Sequence, residues 1–174
     1  MDLDSHANQC VVGSNCLVTH DFDGPVSIQG YDPNGSTTES LCTVSDALAY
    51  DSPDTGETLI LVIHQAIHLP HLPHNLLSQM HLNDVKVNNK LKFLNDQPTV
   101  HDHAIFVCSL DNDDELLLVS LLLGGIISTF WMQKPTIQEY ESCPHYELTF
   151  NTPEYDPSDK SYAQQEEAMA TWVA

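Results

Sequence analysis

An acid, a hydroxyl and a small side chain stand close together near the N-terminus, in the stretch Leu3-Asp4-Ser5-His6-Ala7. A carboxylate at a turn after an apolar residue can act as a general acid or base, and the neighbouring hydroxyl can brace the turn. Two such carboxylates that share a proton can hydrolyse an amide, because one activates water while the other protonates the carbonyl oxygen. The alternative interpretation is an ordinary solvated turn.

A second motif comes after the longest apolar run of the first half, as Ile67-His68-Leu69-Pro70-His71-Leu72-Pro73-His74-Asn75-Leu76-Leu77-Ser78. With the first motif, it makes residues 2–82 resemble the aspartic protease region of copia-type LTR retrotransposon polyproteins. That family carries an Asp-Ser-Gly-Ala start and a later Val-Pro-x-Leu-x-x-Asn-Leu-Leu-Ser signature. The stretch "KPTIQEYESCPHYELT" also resembles the segment after the protease region in copia-like elements of microbial eukaryotes with an Asp-Ser-His-Ala start.

The resemblance implies an aspartic endopeptidase that processes a polyprotein. Asp4 and Ser5 would then be the catalytic positions, and His6 (where the family has Gly) and Ala7 would support the turn. Because the pattern Asp-Ser-x-Ala occurs once in the chain, the second carboxylate would come from another copy, as in two-fold retropepsin dimers. The expected partners are a peptide or polyprotein substrate and a second copy of the chain.

Two other functions stay open. The chain could be a non-catalytic retropepsin-like remnant that acts as a dimerisation or interaction module. It could instead be a histidine-rich metal-binding module. Because Asp4 is so close to the first residue, we also expect the sequence to be part of a longer polyprotein.

A row of histidines is the basis of the metal hypothesis: His64, His68, His71, His74 and His81, with His101 and His103 further on. His64 and His68 have the i,i+4 spacing of zinc-binding helices. However, their segment has the pattern of a strand, and Pro70 and Pro73 exclude a helix across the row. We therefore predict His64 and His68 on a strand, His71 and His74 in the next loop and helix start, and no metal.

No other cofactor motif is present in the sequence. The acidic stretch Asp111–Glu115 lacks the glycine and the final glutamate of an EF-hand loop, so it predicts a solvated turn. Glycine-rich phosphate loops and the Gly-x-Ser-x-Gly nucleophile motif are also missing. We expect no cofactor.

The charge is strongly acidic, with 25 acids, five lysines and no arginine, for a net charge of −20. Such a chain cannot displace the counterions of a nucleic acid, so direct nucleic-acid binding is not expected. The apolar stretch 116–131 is too short and too interrupted to span a bilayer, which predicts no membrane association. Five irregularly spaced cysteines and no visible signal peptide predict free thiols in the cytoplasm.

Short apolar runs alternate with turn clusters over residues 1–85, a pattern that predicts an all-β domain. The resemblance makes it a retropepsin-like closed β-barrel. We expect a central strand at Thr58–Ile63 and a short helix from Asn75, its N-cap, to Leu82. A substrate flap should lie within Tyr31–Glu57, with its tip formed by Asp51, Ser52, Pro53, Asp54, Thr55, Gly56 and Glu57.

Residues 86–174 should form a separate β-rich extension. The apolar runs predict strands at residues 104–110, 116–123 and 126–130. Thr136 and Glu139 have the spacing of a capping box, which predicts a helix start. A second helix should begin at Ser158 and end the chain, because its apolar residues recur at helical spacing.

Overall fold

The computed structural model describes residues 1–4, 7, 9–22, 26–27, 40–79, 81–82, 85–89, 103–108, 115–124 and 127–149. Several expectations fall outside these residues. They concern Ser5, His6, residues 31–39 of the expected flap, the acidic stretch 111–114 and the terminal helix from Ser158.

Nine strands of the described part form one mixed sheet. They are β1 (Asp2–Asp4), β2 (Val11–Val12), β3 (Leu17–Asp21), β6 (Thr43–Asp51), β7 (Thr58–His68), β8 (Leu76–Ser78), β12 (Leu122–Gly124), β13 (Ile127–Thr129) and β14 (His145–Glu147). The order across the sheet is β12-β13-β1-β8-β2-β7-β6-β3, and β14 pairs with β7 beside this path. The first strand is therefore an interior strand, between β13 and β8.

Two smaller sheets contain the other described strands. β9 (Val85–Asn89), β10 (His103–Cys108) and β11 (Glu115–Ser120) form an antiparallel sheet with β10 in the middle. β4 (Val26–Ser27) and β5 (Ser40–Leu41) form a two-stranded antiparallel ribbon. The ribbon connects β3 to β6 along the chain.

The hairpin of β6 and β7 contains the two longest strands of the large sheet. Both strands are rich in β-branched and apolar residues and are buried along nearly their whole length. Gly56 has a φ of 72° in the connecting turn, a left-handed conformation that glycine adopts without strain. The expected central strand at Thr58–Ile63 is confirmed and extends to His68.

The described elements are mostly strands, so the predicted all-β class is confirmed. No closed barrel is found among them, because the order of the sheet ends at β12 on one side and β3 on the other. A single bridge between Ala49 and Gln133 connects the segment after β13 to β6. That bridge does not extend into a strand pair that would close the sheet.

The helix predicted from Asn75 to Leu82 is wrong, since Leu76–Ser78 is strand β8. The triplet pairs in parallel with β1 and in antiparallel with β2, so both of its edges are hydrogen-bonded to strands. Leu77 is fully buried between them. Tertiary pairing overrides the weak helix preference of so short a segment.

One helix is described, α1 (Ile137–Ser142), and its predicted capping box is confirmed. The Thr136 hydroxyl accepts a hydrogen bond from the Glu139 backbone N–H, and the Glu139 carboxylate accepts one from the Thr136 N–H. This helix packs against the outer side of β6 and β7, where Tyr140 contacts the small apolar cluster of Ala47, Ala49, Ile60 and Val62.

Strands from both sides of residue 85 share the large sheet. β12 and β13 extend it beyond β1, while β14 pairs with the first half of β7. The main core likewise joins Leu48 and Leu61 to Ile105 and Val119 of the three-stranded sheet. The boundary at residue 85 stays a prediction.

Within the described residues, no helix has the length and apolar character needed to cross a membrane.

Candidate active site at the end of the first strand

The two motifs found in the sequence lie on adjacent strands. β1 and β8 run in parallel, with Leu3 opposite Leu77 and Asp4 opposite Ser78. The Gln79 N–H extends the ladder by donating to the Asp4 carbonyl oxygen at 3.2 Å. Asp4, half-buried at the end of its strand, therefore lies beside Ser78 of the Leu-Leu-Ser motif.

Ser78 braces the segment after Asp4. Its hydroxyl donates to the Ala7 carbonyl oxygen at 2.5 Å and accepts from the His81 backbone N–H at 3.3 Å. Its own N–H points to the Cys10 sulfur at 3.4 Å. Ser78 is fully buried and thus links Ala7, shortly after Asp4, to His81, shortly after β8. The Asn-Leu-Leu-Ser motif alone did not predict this role for Ser78.

Asn75 and Gly13 make a second brace, which sequence reasoning missed. The Asn75 side-chain oxygen accepts from the Gly13 N–H at 2.6 Å, and its backbone oxygen accepts from the Asp2 N–H at 2.9 Å. A Cβ on Gly13 would lie 2.1 Å from the Leu72 carbonyl oxygen, so only glycine fits here. The sequence features that could have indicated this brace are the glycine after two valines, Gly13, and the asparagine before Leu-Leu-Ser, Asn75.

The turn expected to form the flap tip lies at the far end of β7. Gln9 donates a side-chain hydrogen bond to the Gln65 carbonyl oxygen, which marks the part of β7 beside the Asp4 segment. The turn begins seven residues earlier along β7, or about 23 Å away along an extended strand. Its own bonds are local, for example from the Thr58 hydroxyl to the Asp51 carboxylate at 2.6 Å. The flap assignment stays a prediction.

One acidic side chain that the sequence motifs did not single out is buried within strand β6. Asp46 is fully buried, and neither of its carboxylate oxygens has a hydrogen-bond partner in the described part of the protein. Burial raises the pKa of Asp46 well above its ordinary value near 3.8. Burial, with the Asp46 charge as a smaller cause, also raises the pKa of Cys10 and of Cys16 to about 12. These two thiols are free and protonated at neutral pH.

The histidines that the structure describes do not converge on one point. His64 and His68 lie on β7, as expected, while His71 and His74 are exposed in the loop after it. The expected helix start at His74 is absent, because β8 comes next. Among the described residues, no group of three or more His, Cys, Asp or Glu side chains is arranged to hold a metal.

Two histidines are instead part of the buried structure. His64 Nδ1 is 2.8 Å from the Ser45 hydroxyl, and its Nε2 lies 3.4 Å from a Glu147 carboxylate oxygen without hydrogen-bond geometry. His81 is fully buried, and its Nδ1 accepts from the Cys10 N–H at 3.4 Å. Burial, assisted by the charge of His64, lowers the pKa of His81 to about 4.

The chain matches no family model, no curated protein and no solved structure.

Proposed function

We propose that this protein is a retropepsin-like aspartic endopeptidase of a retrotransposon polyprotein and that it works as a homodimer. The observation that carries the proposal is the parallel pairing of β1 and β8, with Asp4 in register with Ser78. Two motifs more than seventy residues apart, each part of the family resemblance, thereby lie side by side.

The chemistry is that of a carboxylate at a braced turn. Asp4 from one subunit takes a proton from water, and Asp4 from the other protonates the carbonyl oxygen of the scissile peptide bond. By the resemblance, Ser5 and Ala7 would support Asp4, and Ser78 donates a hydrogen bond to the Ala7 carbonyl oxygen. Two neighbouring carboxyls share one proton, so activity should be bell-shaped with pH and highest in mildly acidic solution.

Substrate would be held under a hairpin. Two described hairpins lie within or beside the expected flap region, the β4–β5 ribbon and the β6–β7 hairpin. The turn of the latter lies about 23 Å along β7 from Gln65. A closed barrel would require pairing beyond the described strands.

A cellular setting is part of the proposal. Cys10, Cys16, Cys42 and Cys143 are free thiols, and Cys10 and Cys16 are buried without forming a disulfide. This arrangement suits a reducing compartment such as the cytoplasm, where a retrotransposon polyprotein would be processed.

The test is cleavage of a peptide library by the full chain at pH 5, with and without a pepstatin-type inhibitor. Asp4→Asn should abolish cleavage and leave the thermal unfolding profile unchanged. Asp2→Asn is the matched control, because it removes the same charge two residues earlier on the same strand. It should retain cleavage.

Cleavage that persists in Asp4→Asn would refute the assignment of Asp4. A folded wild-type chain that forms dimers but neither cleaves any peptide nor binds the inhibitor would support the non-catalytic remnant instead. That outcome is the second candidate function, in which the same paired motifs have only a structural role.

A further inference from the structure

Three fully buried residues close to Asp4 form a ring of hydrogen bonds. The Ser78 N–H donates to the Cys10 sulfur at 3.4 Å, and the Cys10 N–H donates to Nδ1 of His81 at 3.4 Å. The His81 N–H closes the ring by donating to the Ser78 hydroxyl at 3.3 Å. We call these residues the Ser78–Cys10–His81 ring. Each backbone N–H of the ring is paired with the side chain of another member, so removal of one side chain takes the acceptor from a buried N–H.

The ring holds the backbone on both sides of Asp4. The Ser78 hydroxyl donates its proton to the Ala7 carbonyl oxygen at 2.5 Å, while its oxygen accepts the bond that closes the ring. Ser78 is also opposite Asp4 in the parallel pairing of β1 and β8, and the next residue, Gln79, donates its N–H to the Asp4 carbonyl oxygen at 3.2 Å. The positions of Ala7 and of the Asp4 backbone therefore depend on where the ring holds Ser78.

The ring is itself anchored to the large sheet. The Cys10 carbonyl oxygen accepts the N–H of Ile67, on the central strand β7, at 2.9 Å. The serine of the ring ends β8, which pairs with both β1 and β2. Leu82, the residue after His81, forms a bridge with Thr149. Because groups fixed to strands hold their neighbours more precisely than loops do, the ring can transmit the rigidity of the sheet to the segment around Asp4.

The protonation state of His81 decides whether the ring is closed. Because Nδ1 accepts the Cys10 N–H, the proton of the neutral imidazole is on Nε2. In the imidazolium both ring nitrogens carry protons, so the Nδ1–H would face the Cys10 N–H, donor against donor. A neutral His81 therefore keeps the ring closed, and a charged one opens it at this bond.

We propose that His81 is a positioning residue of the candidate active site, whose neutral imidazole closes the ring that fixes the backbone around Asp4. This inference rests on the proposed function, since it gives the positioned carboxylate a catalytic task. His81 acts through Ser78 and Ala7 and contacts no substrate in this role. Precise positioning matters because a displacement of about 1 Å in a reacting group can lower the rate about 100-fold.

The surroundings of His81 keep it neutral in mildly acidic solution. Burial, assisted by the charge of His64 on β7, lowers the pKa of His81 to about 4. His64 in turn lies 3.4 Å from a carboxylate oxygen of Glu147 on β14. Burial, with the charge of Asp46 on β6 as a smaller cause, raises the pKa of the Cys10 thiol to about 12, so this member of the ring stays protonated. The ring should therefore stay closed at pH 5, where an ordinary histidine is mostly charged, and open as the pH falls through about 4.

The test compares two substitutions of His81 by peptide cleavage with the full chain at pH 5. His81→Asn offers an amide oxygen in place of Nδ1 and should cleave about as fast as wild type. His81→Leu offers no acceptor and should lower kcat at least about tenfold with little change in KM. His74→Leu is the matched control, because it makes the same substitution at an exposed histidine, and it should cleave like wild type. If His81→Leu is unfolded at pH 5, Cys10→Ala removes another acceptor of the ring and should show the same loss.

The pH profile separates positioning from a merely structural role. Protonation of the proposed carboxyl pair lowers cleavage equally in wild type and in His81→Asn, so it cancels in the ratio of their kcat values. Because half of the wild-type His81 side chains are charged at pH 4, this ratio should be about twofold higher at pH 4 than at pH 5. A ratio that stays constant over this range, or a folded His81→Leu with the kcat of wild type, would overturn the inference.

Hydrogen exchange followed by NMR separates this inference from the proposed function, because it needs no cleavage. In His81→Leu the amides of Cys10 and Gln79 should exchange faster than in wild type, and in His81→Asn both should stay slow. Faster exchange in a chain that never cleaves would support the hold of the ring on Asp4 and refute the protease. Unchanged exchange and unchanged cleavage in His81→Leu would overturn the role of His81 while the protease assignment stands.

Discussion

The buried pair of titrating groups, Asp46 and His81, should give this protein two opposing pH dependences of stability. Both side chains are fully buried. The folded-state pKa of Asp46 is raised by burial, while that of His81 is lowered from 6.5 to about 4 by burial and by His64. The charge of Asp46 contributes to the raised pKa of Cys10 and of Cys16, and His64, whose Nε2 lies 3.4 Å from a Glu147 carboxylate oxygen, contributes to the lowered pKa of His81.

The direction of each pH dependence of stability follows from whether the folded or the unfolded state binds more protons. The raised pKa of Asp46 means that its contribution to stability is complete below about pH 4 and is lost as the pH rises towards its folded-state pKa. The lowered pKa of His81 means that its contribution is complete above about pH 6.5 and is lost as the pH falls towards 4. Each slope is at most about 1.4 kcal/mol per pH unit.

Between pH 4.5 and 6 the two contributions change in opposite directions: that of His81 rises by about 2 kcal/mol, while that of Asp46 falls. They oppose each other in the wild type. Asp46→Asn removes the falling contribution, so its free energy of unfolding relative to wild type should rise across this window. His81→Asn, whose amide oxygen can replace Nδ1 as acceptor, should show a relative fall of about 2 kcal/mol.

The assay is urea denaturation of wild type and both variants at half-unit steps from pH 4.5 to 6. A change of 2 kcal/mol corresponds to about 4–8 °C in Tm for a chain of this length. Because the other acids and histidines are common to all samples, only the difference between variant and wild type is used. Asp54→Asn, at the exposed turn of the β6–β7 hairpin, controls for the loss of one formal charge.

An Asp46→Asn curve that runs parallel to the wild-type curve would refute the reasoning. It would mean that Asp46 binds no more protons in the folded state than in the unfolded state. The same result for His81→Asn would mean that this imidazole is protonated as easily when folded as when unfolded.

Two further predictions concern the braces and the helix cap. Gly13→Ala should cost about 3 kcal/mol and lower Tm by about 10 °C, because the new Cβ would lie 2.1 Å from the Leu72 carbonyl oxygen. Gly56→Ala, where φ is 72° but no atom lies within 4 Å of the new Cβ, should cost only about 1 kcal/mol; equal losses of Tm for the two variants would contradict the close approach at Gly13. Hydrogen bonds from Thr136 lower the pKa of Glu139, so the helix cap should weaken as the pH falls through that pKa. In Thr136→Ala, an NMR titration should find the pKa of Glu139 higher than in wild type, and an unchanged value would contradict the capping box.

Local patterns determined the parts of the fold whose signals lie within a few residues. The β-branched run from Thr58 predicted the longest strand, and the Thr136–Glu139 spacing predicted the helix cap. Both work because the decisive contacts are between neighbours in the chain, where side-chain shape and short-range hydrogen bonds act. The strand positions of His64 and His68 come from the same run.

The sequence also indicated which two segments belong together, but not how they meet. Asp4 and the Leu-Leu-Ser motif were linked by resemblance, whereas their parallel register and the bond from Ser78 to the Ala7 carbonyl oxygen depend on chain paths more than seventy residues apart. The segment Asn75–Leu82 shows that a local pattern can predict the wrong secondary structure. Its short apolar triplet suits a helix or a strand, and the neighbours on both edges make it a strand.

Only the tertiary structure decided which polar groups are buried and which apolar groups are exposed. Asp46 has the sequence surroundings of any strand acid, yet it is buried because both faces of β6 are covered. Leu122, Ile127 and Trp131 belong to an apolar run that predicts buried strands, yet all three are exposed. Burial depends on the distant parts of the chain that pack against a residue, and composition and periodicity carry no record of that packing.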